Sequence, residues 1–200
     1  MTLIVAGHET VASALTWTWH LLAEHPQELE TLHRELDEVL AGRRPTFADL
    51  PNLVRTRAVV DEALRLYPPA WVISRRAVVD EEVRGHPVPA GSILFVSPYV
   101  LHRRVDAWPD PERFDPTRFA PGCDVDRFGY IPFGAGPNLC IGRDFALLEA
   151  TLIVAAVASR YTLASVPGHR VRAEPLVTIR PHGGLPMVLR RRSHVPGGTA

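Results

Sequence analysis

The ten residues Phe133-Gly134-Ala135-Gly136-Pro137-Asn138-Leu139-Cys140-Ile141-Gly142 stand directly before an apolar run and carry the strongest chemical signal in the chain. Glycines let a backbone approach a flat ligand closely and turn its amides toward one atom. A cysteine at the mouth of a helix meets the positive end of the dipole and unbonded amides, which favour the thiolate and suit a soft metal such as iron. A dinucleotide fingerprint would need a third glycine where Leu139 stands, with a strand feeding it, so that reading is rejected. A buried cysteine after a glycine turn is the bland alternative, and the spacing of the whole stretch weighs against it.

Two further groups of residues could do chemistry. Glu62-Ala63-Leu64-Arg65 sets an acid and a base three apart on one helix face, which by spacing alone is an exposed pair worth about 0.2–0.5 kcal/mol. Its context is more specific, because Leu66-Tyr67-Pro68-Pro69 follows at once and a later irregular segment holds Phe114-Asp115-Pro116-Thr117-Arg118-Phe119. Near the start lies Ala6-Gly7-His8-Glu9-Thr10. A zinc motif His-Glu-x-x-His needs a histidine where Ala12 stands, so a zinc protease is rejected. A threonine inside a helix can bond a carbonyl one turn earlier and bend the helix open.

The elements that must position these residues follow from pattern. Eleven of the nineteen prolines fall between Pro68 and Pro137, which divides the chain into helices, an irregular middle and a further helix. A long, largely buried helix is predicted from Leu3 to Ala23 and an amphipathic one through Leu29, Leu32, Leu36 and Val39, ending near Gly42. A third runs from Val54 to Tyr67 and is stopped by the proline pair. Residues 70–100 read as short strands, 105–137 as a long segment with neither helical nor strand period, Gly142 to Tyr161 as an apolar helix, and 162–192 as strands and turns. Residues 193–200 read as a loose tail.

Composition removes whole classes of function. The 22 cationic side chains are all arginine, so Schiff-base chemistry, pyridoxal phosphate anchoring and a P-loop lysine are excluded, and the 22 acidic residues balance them to zero, with nothing to steer the chain onto nucleic acid. Two cysteines, Cys123 and Cys140, make no disulfide framework and no Cys-x-x-Cys pair. A soluble, cytoplasmic protein without a membrane anchor is the expectation.

The cysteine loop resembles that of the cytochrome P-450 family of haem-thiolate monooxygenases, Phe-x-x-Gly-x-(Arg/His)-x-Cys-x-Gly, departing from it at Asn138, where the family usually has Arg or His. The Glu62–Arg65 helix and the Phe114–Phe119 segment match in the family's order. The resemblance implies a mainly α fold with small β-sheets, the C-terminal haem-binding half of that fold, over residues 1–192. Cys140 is then the axial ligand of haem b, with Phe133, Gly134, Gly136 and Gly142 shaping its loop. Ala6 and Gly7 lie over the haem face, and Glu9 and Thr10 deliver protons to bound oxygen. Glu62, Arg65 and Arg118 form one buried network that pins the irregular segment, with Arg113 the decoy. Arg75 reaches a propionate, and His102 lies near the same region.

The implied activity is hydroxylation of an apolar small molecule with dioxygen and electrons from a redox partner such as a ferredoxin or a flavin reductase. Met1 corresponds to a point inside the family's oxygen helix, so the resemblance also implies a fragment of doubtful independent activity. A non-catalytic remnant that only binds another chain, and a haem-thiolate peroxygenase or isomerase, are the alternatives.

Overall fold

The computed structural model describes residues 2–192, with side chains from Gly7 onward. The side chain of Ala6 and the expected tail at 193–200 lie outside the described residues. Four helices make the body: α1 (Thr2–Glu24), α2 (Pro26–Leu40), α3 (Val54–Leu66) and α5 (Arg143–Ala158), with the single turn α4 (Pro98–Leu101) between the last two.

Periodicity explains their packing. On α5, Leu147, Ala150, Thr151, Val154, Ala155 and Ala158 recur at three and four and form one buried stripe. On α2, Leu32, Leu36 and Leu40 do the same, and Pro26 occupies the first turn, where its missing N–H costs nothing. These stripes meet Leu21 and Leu22 of α1 and Val59, Val60 and Ala63 of α3 in one apolar core. Trp17 of α1 is buried and stacks on Tyr67, their rings 3.8 Å apart. Its indole and the Ser13 hydroxyl both donate to the Ile179 carbonyl, at 3.0 and 2.6 Å.

The strands pair as four two-stranded antiparallel sheets. β1 (Ile73–Arg76) pairs with β4 (Ile93–Val96), and β2 (Glu81–Val83) with β3 (His86–Val88). β5 (Tyr161–Ser165) pairs with β8 (Met187–Arg191), and β6 (Ala173–Pro175) with β7 (Ile179–Pro181). The β2–β3 hairpin turns at Arg84 and Gly85, both at positive φ, as a tight two-residue loop between twisted strands requires. The expected helices are all present. The pattern did not predict the 3₁₀ turn at Phe47–Asn52 or α4. The stretch 105–137 is irregular apart from two short 3₁₀ turns, at Pro116–Phe119 and at Gly136–Asn138 on its edge.

Candidate functional site

The centre of the described chain's polar interior is on α3. Glu62 and Arg65 are both fully buried, and the Arg65 guanidinium meets the carboxylate side on, Nε to Oε2 at 2.6 Å and Nη2 to Oε1 at 2.8 Å. Its remaining hydrogens go to the end of α4 and to the irregular segment: Nη1 donates to the His102 and Pro111 carbonyls at 2.9 and 2.7 Å, and Nη2 to the Arg113 carbonyl at 3.0 Å. Glu62 Oε1 also accepts the Asp115 amide at 2.8 Å and lies 3.5 Å from Arg118 Nε. Burial pushes the Glu62 carboxyl up, against the opposing pull of Arg65, the Asp115 amide and Arg118. Glu62, Arg65 and Arg118 are thus brought together, while Arg113 gives Arg65 its carbonyl and its charge acts on Asp115.

Charge-assisted bonds therefore take the place of secondary structure in holding the irregular segment. Two of its aromatic residues, neither part of a motif, join the cluster. The Arg65 guanidinium lies 5.1 Å from the Trp108 ring centre, and the Trp108 indole donates to the Gly129 carbonyl at 3.2 Å. The Tyr130 hydroxyl bonds Asp61 of α3 at its carbonyl, 2.9 Å, and at Oδ1, 3.2 Å. The available signal was that large aromatics in a segment without period must find partners elsewhere. His102 is fully buried, with Nδ1 3.0 Å from the Arg65 carbonyl and Nε2 accepting the Ile131 amide at 2.9 Å. Both ring nitrogens are spent on backbone, so neither is turned toward a ligand.

From Ile131 the chain enters the cysteine loop. The Gly134 amide donates to the Ile131 carbonyl and the Cys140 amide to the Phe133 carbonyl, each at 3.0 Å. Gly134 and Gly136 sit at φ +77° and +71°, conformations that side chains rarely adopt, and a Cβ at Gly136 would meet nothing within 4 Å. Phe133 packs on the core, whereas Cys140 is exposed and precedes the first residue of α5 by three positions. Gly142 lies beside the sulfur, which is 3.9 Å from the position its Cβ would take.

The donor set fits a haem. The exposed Cys140 sulfur offers one soft donor, which is what an iron whose other donors come with a macrocycle needs from the protein. Leu139 and Ile141, on either side of Cys140, and Phe145 in the first turn of α5 are exposed apolar residues, and Ile141 is 95% exposed. The open space at Gly136 would admit a flat group against the loop.

The other expected residues stand apart from this cluster. Glu9 Oε1 accepts the hydroxyl of buried Thr178 at 2.7 Å, and the Thr10 hydroxyl lies 3.5 Å from the Gly7 carbonyl, one turn back. A Cβ at Gly7 would meet nothing within 4 Å. Arg75, on β1, is exposed and bonds the Ser74 carbonyl. The second cysteine, Cys123, is exposed and lies 3.4 Å from the Thr117 carbonyl.

Comparison with known proteins bears on the whole arrangement. The cytochrome P-450 family model matches residues 1–182. Cyclooctat-9-en-7-ol 5-monooxygenase of Streptomyces melanosporofaciens is 48% identical, over 96% of this chain and 42% of that protein. Cyclooctatin synthase of the same organism is 46% identical, over 90% and 39%. Pentalenene oxygenase of Streptomyces avermitilis is 40% identical, over 90% and 40%. The chain spans about two fifths of the length of these relatives. Because the model match runs through the Glu62–Arg65 helix, the segment it pins and the Cys140 loop alike, the chain belongs to the cytochrome P-450 family of haem-thiolate oxidoreductases.

Proposed function

We propose that this chain forms the thiolate-bearing part of a monooxygenase that uses haem b and dioxygen to hydroxylate an apolar small molecule. The observation that carries the reading is the exposed Cys140 just before α5, in a loop tied to α3 through the His102 ring and with the exposed apolar Leu139 and Ile141 on either side of the cysteine. Bound haem would supply the iron and the electron relay for activating dioxygen. Everything else falls to protein groups. Cys140 holds the metal as thiolate, and Phe133, Gly134, Gly136 and Gly142 let the loop lie flat against the macrocycle. Arg75 offers its guanidinium to a propionate. Ala6 and Gly7 leave room on the opposite face.

Glu9 and Thr10 carry the proton supply. The Glu9 carboxylate is oriented by the Thr178 hydroxyl, and the Thr10 hydroxyl can accept a proton from water and pass its own toward oxygen. Electrons come from a ferredoxin or a flavin reductase in the cytoplasm. No helix of the described residues is long and apolar enough to cross a membrane. The names of the relatives, an oxygenase of pentalenene and a monooxygenase of cyclooctat-9-en-7-ol, support a hydrocarbon-rich substrate.

The test supplies the protein expressed from its native gene with haem, ferredoxin, ferredoxin reductase, NADPH and ¹⁸O₂, with pentalenene as the apolar probe. The expected product carries one ¹⁸O and depends on NADPH. A product whose oxygen comes from water, or one formed only with added hydrogen peroxide, would overturn the reading.

A further inference from the structure

His102 and Arg65 hold one another reciprocally. The Arg65 side chain donates to the His102 carbonyl at 2.9 Å, and the His102 ring bonds the Arg65 carbonyl at 3.0 Å. A carbonyl only accepts and an amide only donates, so the Arg65 carbonyl fixes the ring proton on Nδ1 and the Ile131 amide fixes Nε2 as the acceptor. The ring is neutral and single in orientation. It spans from the C-terminal turn of α3 to Ile131, and the loop's own bonds carry on from there, Gly134 amide to Ile131 carbonyl and Cys140 amide to Phe133 carbonyl. Tyr130, bonded to Asp61, packs beside the ring at 5.3 Å between centroids. A continuous line of hydrogen bonds and two short backbone links thus runs from the buried Arg65 to the cysteine.

We infer that His102 is a positioning residue for the Cys140 sulfur: its ring transmits the fixed place of α3 to the loop that presents the thiolate. Without the ring, the Ile131 amide and the Arg65 carbonyl lose buried partners, and the cysteine loop keeps its own turns, the Tyr130–Asp61 bond beside it and the packing of Phe133 on the core. The inference deepens the haem-thiolate reading and rests on it for its spectroscopic consequence only. The relay itself is a property of the protein without cofactor.

Three variants separate the bonds from the volume. His102→Leu fills the space with neither bond, His102→Gln offers an amide donor and acceptor in the ring's place, and His102→Asn keeps a donor near Arg65 but is too short to reach Ile131. Hydrogen exchange of cofactor-free protein, read by mass spectrometry, should rise about tenfold over residues 131–141 in His102→Leu and stay near wild type in His102→Gln. In haem-loaded protein, reduced and treated with carbon monoxide, His102→Leu should lose part of the red-shifted thiolate band to an unshifted one, and His102→Gln should restore it. If the leucine variant fails to fold, a rise confined to 131–141 in His102→Asn supports the same conclusion. Wild-type exchange over 131–141 in every variant that folds overturns the relay. A raised exchange beside a wild-type protein lacking the thiolate band supports the relay and overturns the haem reading.

Discussion

All five guanidinium hydrogens of Arg65 have acceptors, two on Glu62, one on the His102 carbonyl after α4 and two on carbonyls of the irregular segment. Arg65→Ala leaves the Glu62 carboxylate buried with the Asp115 amide and, at 3.5 Å, Arg118 as its one cation, and should cost about 3–5 kcal/mol, a large share of a domain's stability. Urea unfolding should show that loss, and Arg65→Lys should not recover it, because an ammonium cannot copy the planar fork. His102 gives a dependence on pH. Burial lowers its pKa from 6.5 to about 4, so between those values the unfolded chain binds the proton and the folded one does not. Stability should therefore be complete above pH 6.5 and fall as pH drops toward 4, by at most about 3 kcal/mol from this residue. His33 is lowered to about 4 as well, so the check is the difference between wild type and His102→Gln, which does not titrate. Thr10→Ala should leave the haem spectrum unchanged and raise the share of electrons lost as hydrogen peroxide, measured against NADPH consumed. Motifs made Cys140, Glu62 and Arg65 legible in the sequence. The burial of His102 was not, because its partners stand 37 and 29 residues away and only the folded chain brings them to it.

At the scale of elements, α3 is the frame on which the cysteine loop is hung, and its own start is held from α2. Glu35 accepts the Arg55 and Thr56 amides at 2.5 and 2.8 Å and the buried Thr56 hydroxyl at 2.7 Å, which caps the first turn of α3 from a neighbouring helix. Glu35→Gln keeps the size but loses the charge and must turn one N–H toward donors, so about 1–3 kcal/mol should disappear from the urea-unfolding free energy. The helices of this frame were readable because each buries a stripe at three and four, as Leu147 through Ala158 do on α5. Strand pairing was less so. β5 meets β8 across a long connection, and nothing in their short sequences fixes the register Tyr161 to Arg191. The turn at Phe47–Asn52 escaped prediction because Pro51 lies inside it, and α4 because it is one turn long. The cap by Glu35 left no local signal at all.

Across the whole molecule, the buried ion pair, the segment it pins and the cysteine loop form one mechanical line, while Leu139 and Ile141, which flank Cys140, and Phe145 of α5 stay exposed. Exposed apolar residues beside a free thiol are costly in a domain that uses neither, and together they mark where a flat apolar ligand would sit. Under the function proposed above Cys140 binds the iron, and Cys123, exposed in the middle of the irregular segment, supplies an internal control. The most direct measurement is the Soret band of the haem-loaded protein, reduced under carbon monoxide, in wild type, Cys123→Ser and Cys140→Ser. The wild type and Cys123→Ser should both give the strongly red-shifted band of a thiolate ligand, and Cys140→Ser should lose it. A red-shifted band that survives in Cys140→Ser would contradict the account.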